Sequence, residues 1–155
     1  MSAEELRPLL AKERFFDGLA DTFIDKLADC ASDVRFAAGD MLFREGDLAD
    51  WLYVVRQGRV VLELSIPGRE PVMIQTCGEG DVIGLSWMAA PHRWRYSGRA
   101  MQATRAIALN GGILRDKCRE DHDLGYEVFR RVADVLAHRL EATRLQLLDL
   151  YSDRT

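Results

Sequence analysis

Between Gly84 and Arg99 the chain reads Gly-Leu-Ser-Trp-Met-Ala-Ala-Pro-His-Arg-Trp-Arg-Tyr-Ser-Gly-Arg. Arg93, Arg95 and Arg99 fall within seven residues, interleaved with Trp94 and Tyr96, in a span that breaks the surrounding strand pattern. A glycine-led turn leaves backbone N–H groups free, and guanidinium groups present planar forks of donors. Together these are what an anionic oxygen needs for binding. Trp94 and Tyr96 could stack on a base, cover a partner, or fill gaps beneath a barrel. Single-stranded nucleic acid also suits interleaved arginine and aromatic residues, but the acidic chain as a whole weakens that reading.

Enzyme constellations are hard to assemble. His92, His122 and His138 are scattered, with no His-Glu-x-x-His and no Gly-x-Ser-x-Gly elbow. Cys118 and His122 share an i, i+4 helical spacing, half a metal site for which no further ligand is evident. Gly78-Glu79-Gly80 lacks the following helix of a dinucleotide fold and reads as a turn. Binding rather than catalysis is expected, with no metal and no cofactor.

The 155 residues suit one domain; hydrophobic residues make up 48% and charged residues 30%, a globular balance. Twenty-one Lys and Arg against 25 Asp and Glu leave a net charge of −4, which argues against a general nucleic-acid or anionic-membrane coat. No apolar run approaches the length of a membrane span, and the start Met1-Ser2-Ala3-Glu4-Glu5 is unlike a signal peptide. Cys30, Cys77 and Cys118 are odd in number and far apart, so reduced thiols and a cytoplasmic location are expected.

Three zones must position the arginine-rich segment. Residues 1–32 carry helical apolar faces, Leu6, Leu9 and Leu10 first, then Phe23, Ile24, Leu27, Ala28 and Ala31. Thr22 and Asp25 have the spacing of a capping box there. Residues 33–110 hold short alternating runs at 34–37, 41–44, 51–56, 59–66, 71–77, 99–103 and 105–109, and ten of the twelve glycines lie between 39 and 112. In the clearest run, Val60, Leu62, Leu64 and Ile66 share one face, the pattern of a half-buried strand. Many short strands separated by glycine turns indicate a sandwich or barrel.

After Asn110-Gly111-Gly112, residues 112–151 are helical again, with Asp121 or Asp123 as the cap of a long last helix. Phe129, Val132, Leu136, Leu140, Thr143, Leu147 and Leu150 recur at spacings of three and four, a heptad-like seam. Leu145, Leu148 and Tyr151 make its far end apolar nearly all round. Such a helix either packs wholly on its own barrel or pairs with a copy of itself, and a two-fold helix pair in a homodimer is the expectation.

The order of elements resembles the cyclic nucleotide-binding domain of catabolite-activator type regulators. Gly39-Asp40-Met41-Leu42-Phe43-Arg44-Glu45-Gly46-Asp47 with Ala49 to Val55 is similar to that family's opening strands. Gln57-Gly58-Arg59-Val60 is similar to its next hairpin, and Gly78 to Gly84 to the approach to its phosphate-binding cassette. The resemblance covers about residues 14 to 150 and implies a mainly β fold: a double-stranded β-helix (jelly roll) with N-terminal helices and a long C-terminal dimerisation helix.

For the ligand, the resemblance implies a site at Gly84, Leu85, Ser86, Arg93, Arg95, Tyr96, Ser97, Arg139 and Thr143. The family's glutamate for the ribose 2′-hydroxyl is replaced by Leu85, which accepts no hydrogen bond. Losing a charged hydrogen bond to a buried hydroxyl costs roughly 1.5–3 kcal/mol, about 10- to 100-fold in affinity. Counting forward from Gly84 puts Arg95 at the phosphate-binding position, whereas counting back from Arg99-Ala100 puts Trp94 there; Arg93 or Arg95 could serve. Arg139 and Thr143 match positions near the purine. The chain stops at Thr155, too soon after the seam for a helix-turn-helix, so DNA binding by this chain alone is not expected.

The resemblance thus implies a regulatory sensor for a cyclic nucleotide or other anion, signalling through the last helix to a protein partner. Two rivals remain: a degenerate interaction module filled by its own Trp87, Trp94 or Tyr96, and a haem or iron–sulfur protein. Three distant cysteines do not make a four-cysteine cluster, and a haem would need Cys77 or a histidine facing the site.

Overall fold

A computed structural model describes residues 1–85 and 92–152. Two short helices, α1 (Ala3–Lys12) and α2 (Asp21–Ala28), flank a 3-10 turn at Arg14–Phe16. Eight strands follow: β1 (Ala31–Phe36), β2 (Met41–Phe43), β3 (Trp51–Gln57), β4 (Val60–Leu64), β5 (Val72–Cys77), β6 (Val82–Ile83), β7 (Ser97–Ala100) and β8 (Thr104–Asn110). Helices α3 (Gly111–Glu120) and α4 (His122–Ser152) close the chain. The strands form two four-stranded antiparallel sheets, ordered β1-β8-β3-β6 and β2-β7-β4-β5.

Inward-facing residues of both sheets, among them Leu52, Val54, Val60, Leu62, Ile107 and Leu109, are at most 1% exposed. Leu10, Leu27, Leu114 and Leu124 bring all four helices onto that same core. The architecture is the expected jelly roll flanked by helices.

Several local expectations are corrected. Ala31 opens β1 opposite Leu109 rather than completing a helical face, because the ladder to β8 takes its backbone. Helix α2 begins after Ala20, which offers no side-chain cap, so Thr22 and Asp25 lie inside the helix and form no capping box at its start. Strand β7 starts at Ser97, inside the segment expected to interrupt the strands, and ends before Met101. In β4 the inner residues Val60 and Leu62 are buried as expected, but so is Val61. Val61 stands opposite Thr76 and Arg99, and the Arg99 guanidinium reaches across to Glu63, covering the outer face.

Helix starts follow ordinary capping chemistry. Asn110 accepts from the Ile113 N–H at 3.0 Å to begin α3. Asp121, not Asp123, caps α4 by accepting from the N–H groups of Asp123 and Leu124, both at 3.2 Å. Its carboxyl lies below the ordinary range, held there first by the Lys26 hydrogen bond and then by the Leu124 amide.

The seam of α4 divides in two. Val132 is fully buried in its own chain's core, so it cannot belong to a helix pair. Phe129, Leu136, Leu140, Leu147 and Leu150 are 38–61% exposed. No helix among the described residues is long and apolar enough to cross a membrane.

Candidate ligand site

The β5–β6 turn and β6 lead into Gly84, which adopts φ +108°, a conformation that favours glycine. Space demands glycine as well. A Cβ there would lie 2.6 Å from the Trp51 carbonyl oxygen and 2.9 Å from the tip of the Trp94 indole. Leu85 is half-buried and packs against the core, consistent with its apolar side chain. Ser86 and Trp87 lie outside the described residues.

Beyond the cassette, Trp94 turns inward. Its indole is 4% exposed and stacks on Phe43 with ring centroids 3.6 Å apart and planes within 8°. Tyr53 extends the stack at 6.5 Å from Trp94, and Tyr96 flanks Phe43 at 6.2 Å. The backbone fixes this arrangement: the Trp94 N–H donates to Asp47, and the Trp94 carbonyl accepts from Gly46, both at 2.9 Å. Gly98 gives Phe43 its room, since a Cβ there would meet the ring at 2.6 Å.

The two candidate phosphate arginines part company. Arg93 donates from Nη1 to the Gly46 carbonyl at 2.8 Å. Arg95 is exposed, and its charge reaches Tyr96. Ser97 is occupied by the fold, accepting from the Glu45 N–H at 2.9 Å.

From α4, Arg139 reaches the β-roll and donates to the carbonyl oxygen of Val82, the residue that opens β6. Its positive charge acts on both Cys77 and Tyr96. Burial pushes the Tyr96 hydroxyl up, opposed by Arg139 and more weakly by Arg95. Burial also pushes the Cys77 thiol up to about 11, so it is a neutral wall rather than a thiolate. Thr143 is exposed, and its hydroxyl donates back to the Arg139 carbonyl at 2.8 Å instead of pointing into the site.

A cavity of about 530 Å³ opens on the Arg139 side of Val82, lined by Gln75 and by Arg14, Arg131 and Arg139, but also by Asp81 and Asp134; Gly84, Arg95 and Tyr96 are not among its described lining residues. The volume suits a small-molecule ligand.

Residues 33–121 match the family of the cyclic nucleotide-binding domain, more than half of the chain. The chain belongs to that family. The chain is 26% identical to the CRP-like cAMP-activated global transcriptional regulator of Mycobacterium tuberculosis over 142 residues, covering 92% of the chain and 62% of that protein. It thus spans under two-thirds of the length of that curated relative. Among solved structures, a putative cyclic nucleotide-binding protein from Geobacter metallireducens matches with TM-score 0.77 at 28% identity, over 90% of this domain and 98% of that chain. The N-terminal domain of a transcriptional regulator from Streptomyces coelicolor matches with TM-score 0.68 at 30% identity, over 86% and 96%.

Of the residues named from sequence, the structure brings Arg139 to Val82 with Tyr96 and Cys77 nearby and sets Gly84 against Trp94, while Arg95 is exposed next to Tyr96. Arg93, Ser97 and Thr143 bond elsewhere. The Val82 carbonyl and Gln75 were missed, since neither type advertises a role. A stronger signal was overlooked at Glu127 and Arg131, an i, i+4 pair. Arg131 is 7% exposed, bonds Glu127 and donates to the Asp17 carbonyl at 2.7 Å, pinning α4 to the turn after Phe16.

Proposed function

We propose that this domain is a regulatory sensor, not an enzyme, whose site takes a small anionic ligand of the cyclic nucleotide class and passes its occupancy to α4 within a homodimer. The observation that carries this reading is the reach of Arg139 from α4 to the β6 carbonyl, close enough for its charge to act on Tyr96. An anion taken by the Arg139 guanidinium gains charge-assisted hydrogen bonds. To bind it, Arg139 exchanges the Val82 carbonyl for the ligand, which changes how α4 is tied to the β-roll. That difference in contacts is what lets a ligand shift a conformational equilibrium.

Leu85 contributes no acceptor to a ribose hydroxyl, so cyclic AMP is expected to bind more weakly than in family members that carry the glutamate. Thermal unfolding with millimolar cyclic AMP, cyclic GMP, 5′-AMP and inorganic phosphate tests the reading, because native-state binding raises the midpoint even when weak. A rise with a cyclic nucleotide, lost in Arg139→Ala and reduced in Arg95→Ala, is the expected result. No rise with any of the four overturns it.

Trp94 favours a second reading. It is the residue that the count back from Arg99 puts at the family's arginine position, and its indole is buried against Gly84. A domain that binds no small ligand and acts only through protein contacts would behave this way, and a flat response to all four compounds is its signature.

A further inference from the structure

A small polar pocket of about 260 Å³ lies where the end of α1 meets β3 and β8. Leu9, Lys12 and the C-cap Glu13 line it from α1, Arg56 from β3, Arg105 from β8, and Glu79 from the β5–β6 turn. The backbone brings these groups together. Helix α1 stops at Glu13, whose ψ of 131° leaves the helical range, and a bulge in the β3–β8 ladder between Val55 and Gln57 sets Arg56 out of register. The space is several times the roughly 30 Å³ that a water occupies, yet below the about 300–1,000 Å³ of drug-sized sites.

The charges around this pocket are sorted rather than paired. Arg105 stands directly opposite Arg35 across the β1–β8 ladder, where like charges repel. Among the described residues, neither Arg105 nor Lys12 makes a side-chain hydrogen bond or an ion pair. Arg56 is paired, at 3.2 Å, with Asp33, which does not line the pocket. The carboxylates mirror this. Glu13 is half-buried, and among the described residues its side chain has no hydrogen bond or ion pair either. Burial pushes its carboxyl up from the ordinary value; the charges of Arg56 and Arg14 oppose that, and the Glu79 charge adds repulsion. A half-buried carboxylate and a half-buried guanidinium thus border one cavity without meeting each other. Leaving such groups unmet costs stability that a ligand bearing both opposite charges recovers.

We infer that this pocket is a second ligand site for a small zwitterion of the free amino acid class. Its carboxylate lies on Arg105 and Lys12, its ammonium on Glu13 and Glu79, and its side chain against Leu9. A simple anion would answer the cations and leave two carboxylates repelling it, whereas a simple cation would meet the reverse. The pocket shares a wall with the larger cavity beside Arg139: Arg14, which follows Glu13, pairs at 2.8 Å with Asp81, and both line that cavity. The inference does not depend on the cyclic nucleotide reading, and its test contains no nucleotide.

Thermal unfolding of the whole chain is followed with each of the common free L-amino acids, at neutral pH and equal ionic strength. At least one should raise the midpoint by about 2–4 °C once its concentration exceeds its dissociation constant about fourfold. Its N-acetyl derivative, which lacks the ammonium, and its amide, which lacks the carboxylate, should have no effect. Affinity measured by titration calorimetry should fall at least about tenfold in Glu13→Gln and in Arg105→Gln. Both groups lack partners in the free chain, so neither change should lower the midpoint measured without amino acid. Arg69→Gln, on the β4–β5 turn, should leave the affinity unchanged. The inference is overturned if no amino acid raises the midpoint, if either blocked derivative acts as well as the free amino acid, or if both variants bind it as the wild type does.

Discussion

Cys77 faces Val60 across the β4–β5 ladder and is fully buried, and Cys30 at the start of β1 is 6% exposed. Desolvation pushes each thiol from its ordinary value of 9.0 up to about 11, against smaller lowering effects of Arg139 at Cys77 and Lys117 at Cys30. In the unfolded chain the same thiols ionise near the ordinary value. Above it the unfolded state sheds protons that the folded state keeps, so the stability they contribute is whole below about pH 9 and lost as pH rises through about 11. Each thiol accounts for on the order of 2 kcal/mol across that window. Urea midpoints measured from neutral to strongly alkaline pH should fall, and the Cys30→Ala, Cys77→Ala variant should fall less steeply. An identical slope in both proteins would show that the alkaline loss comes from other groups.

At the scale of elements, the tight turns decide whether the strands can pair. Gly58, between β3 and β4, sits at φ +109°, and a Cβ would lie 2.6 Å from both the Ala103 carbonyl and the Thr104 hydroxyl. Neither neighbour yields freely: the Thr104 hydroxyl donates to the Gln102 carbonyl at 2.9 Å. Gly58→Ala therefore combines left-handed strain with overpacking and should cost about 2–4 kcal/mol in urea unfolding. Gly68→Ala, at φ +75° but with nothing within 4 Å, carries the strain alone and should cost less.

The Gln57-Gly58 turn was legible because glycine punctuates strands locally, and alternation exposed most of the jelly roll for the same reason. The misses have non-local causes. Val82–Ile83 is a strand because it pairs with Tyr53 and Val54, and two residues show no period of their own. Ala31 fits a helical spacing, yet pairing with Leu109 overrides it. At the site, residue types marked out Arg95 and Tyr96 and only the family resemblance pointed to Arg139, whereas the inward turn of Trp94 and the use of the Val82 carbonyl follow from packing among strands far apart in sequence.

For the whole molecule, α4 carries the apolar face through which two copies would pair. Its first turns give Leu124, Val128 and Val132 to the barrel, each at most 3% exposed. Beyond them Leu136, Leu140, Leu147 and Leu150 remain 46–61% exposed, joined by Leu145, Leu148 and Tyr151. A contiguous apolar face of this extent on one chain is a surface for association, and the seam repeats at the spacing of a helix pair. Sedimentation equilibrium should give a dimer. Leu140→Glu with Leu147→Glu should give a folded monomer, because both side chains are about half exposed in the single chain. Val132→Glu should instead unfold the chain, since it buries a charge in the barrel. A wild-type protein that stays monomeric at the highest concentrations, or a folded dimer that survives both Leu→Glu changes, would refute pairing through this seam. Arg139, which reaches the ligand site, immediately precedes Leu140 on the seam. If the proposed ligand draws Arg139 away from Val82, the tie of α4 to the β-roll changes next to the seam, and the dissociation constant of the proposed dimer is expected to change when the site is filled. By reciprocity, the ligand must bind monomer and dimer with different affinities, the per-site ratio being the square root of the change in the dimer's dissociation constant when two equivalent sites are filled.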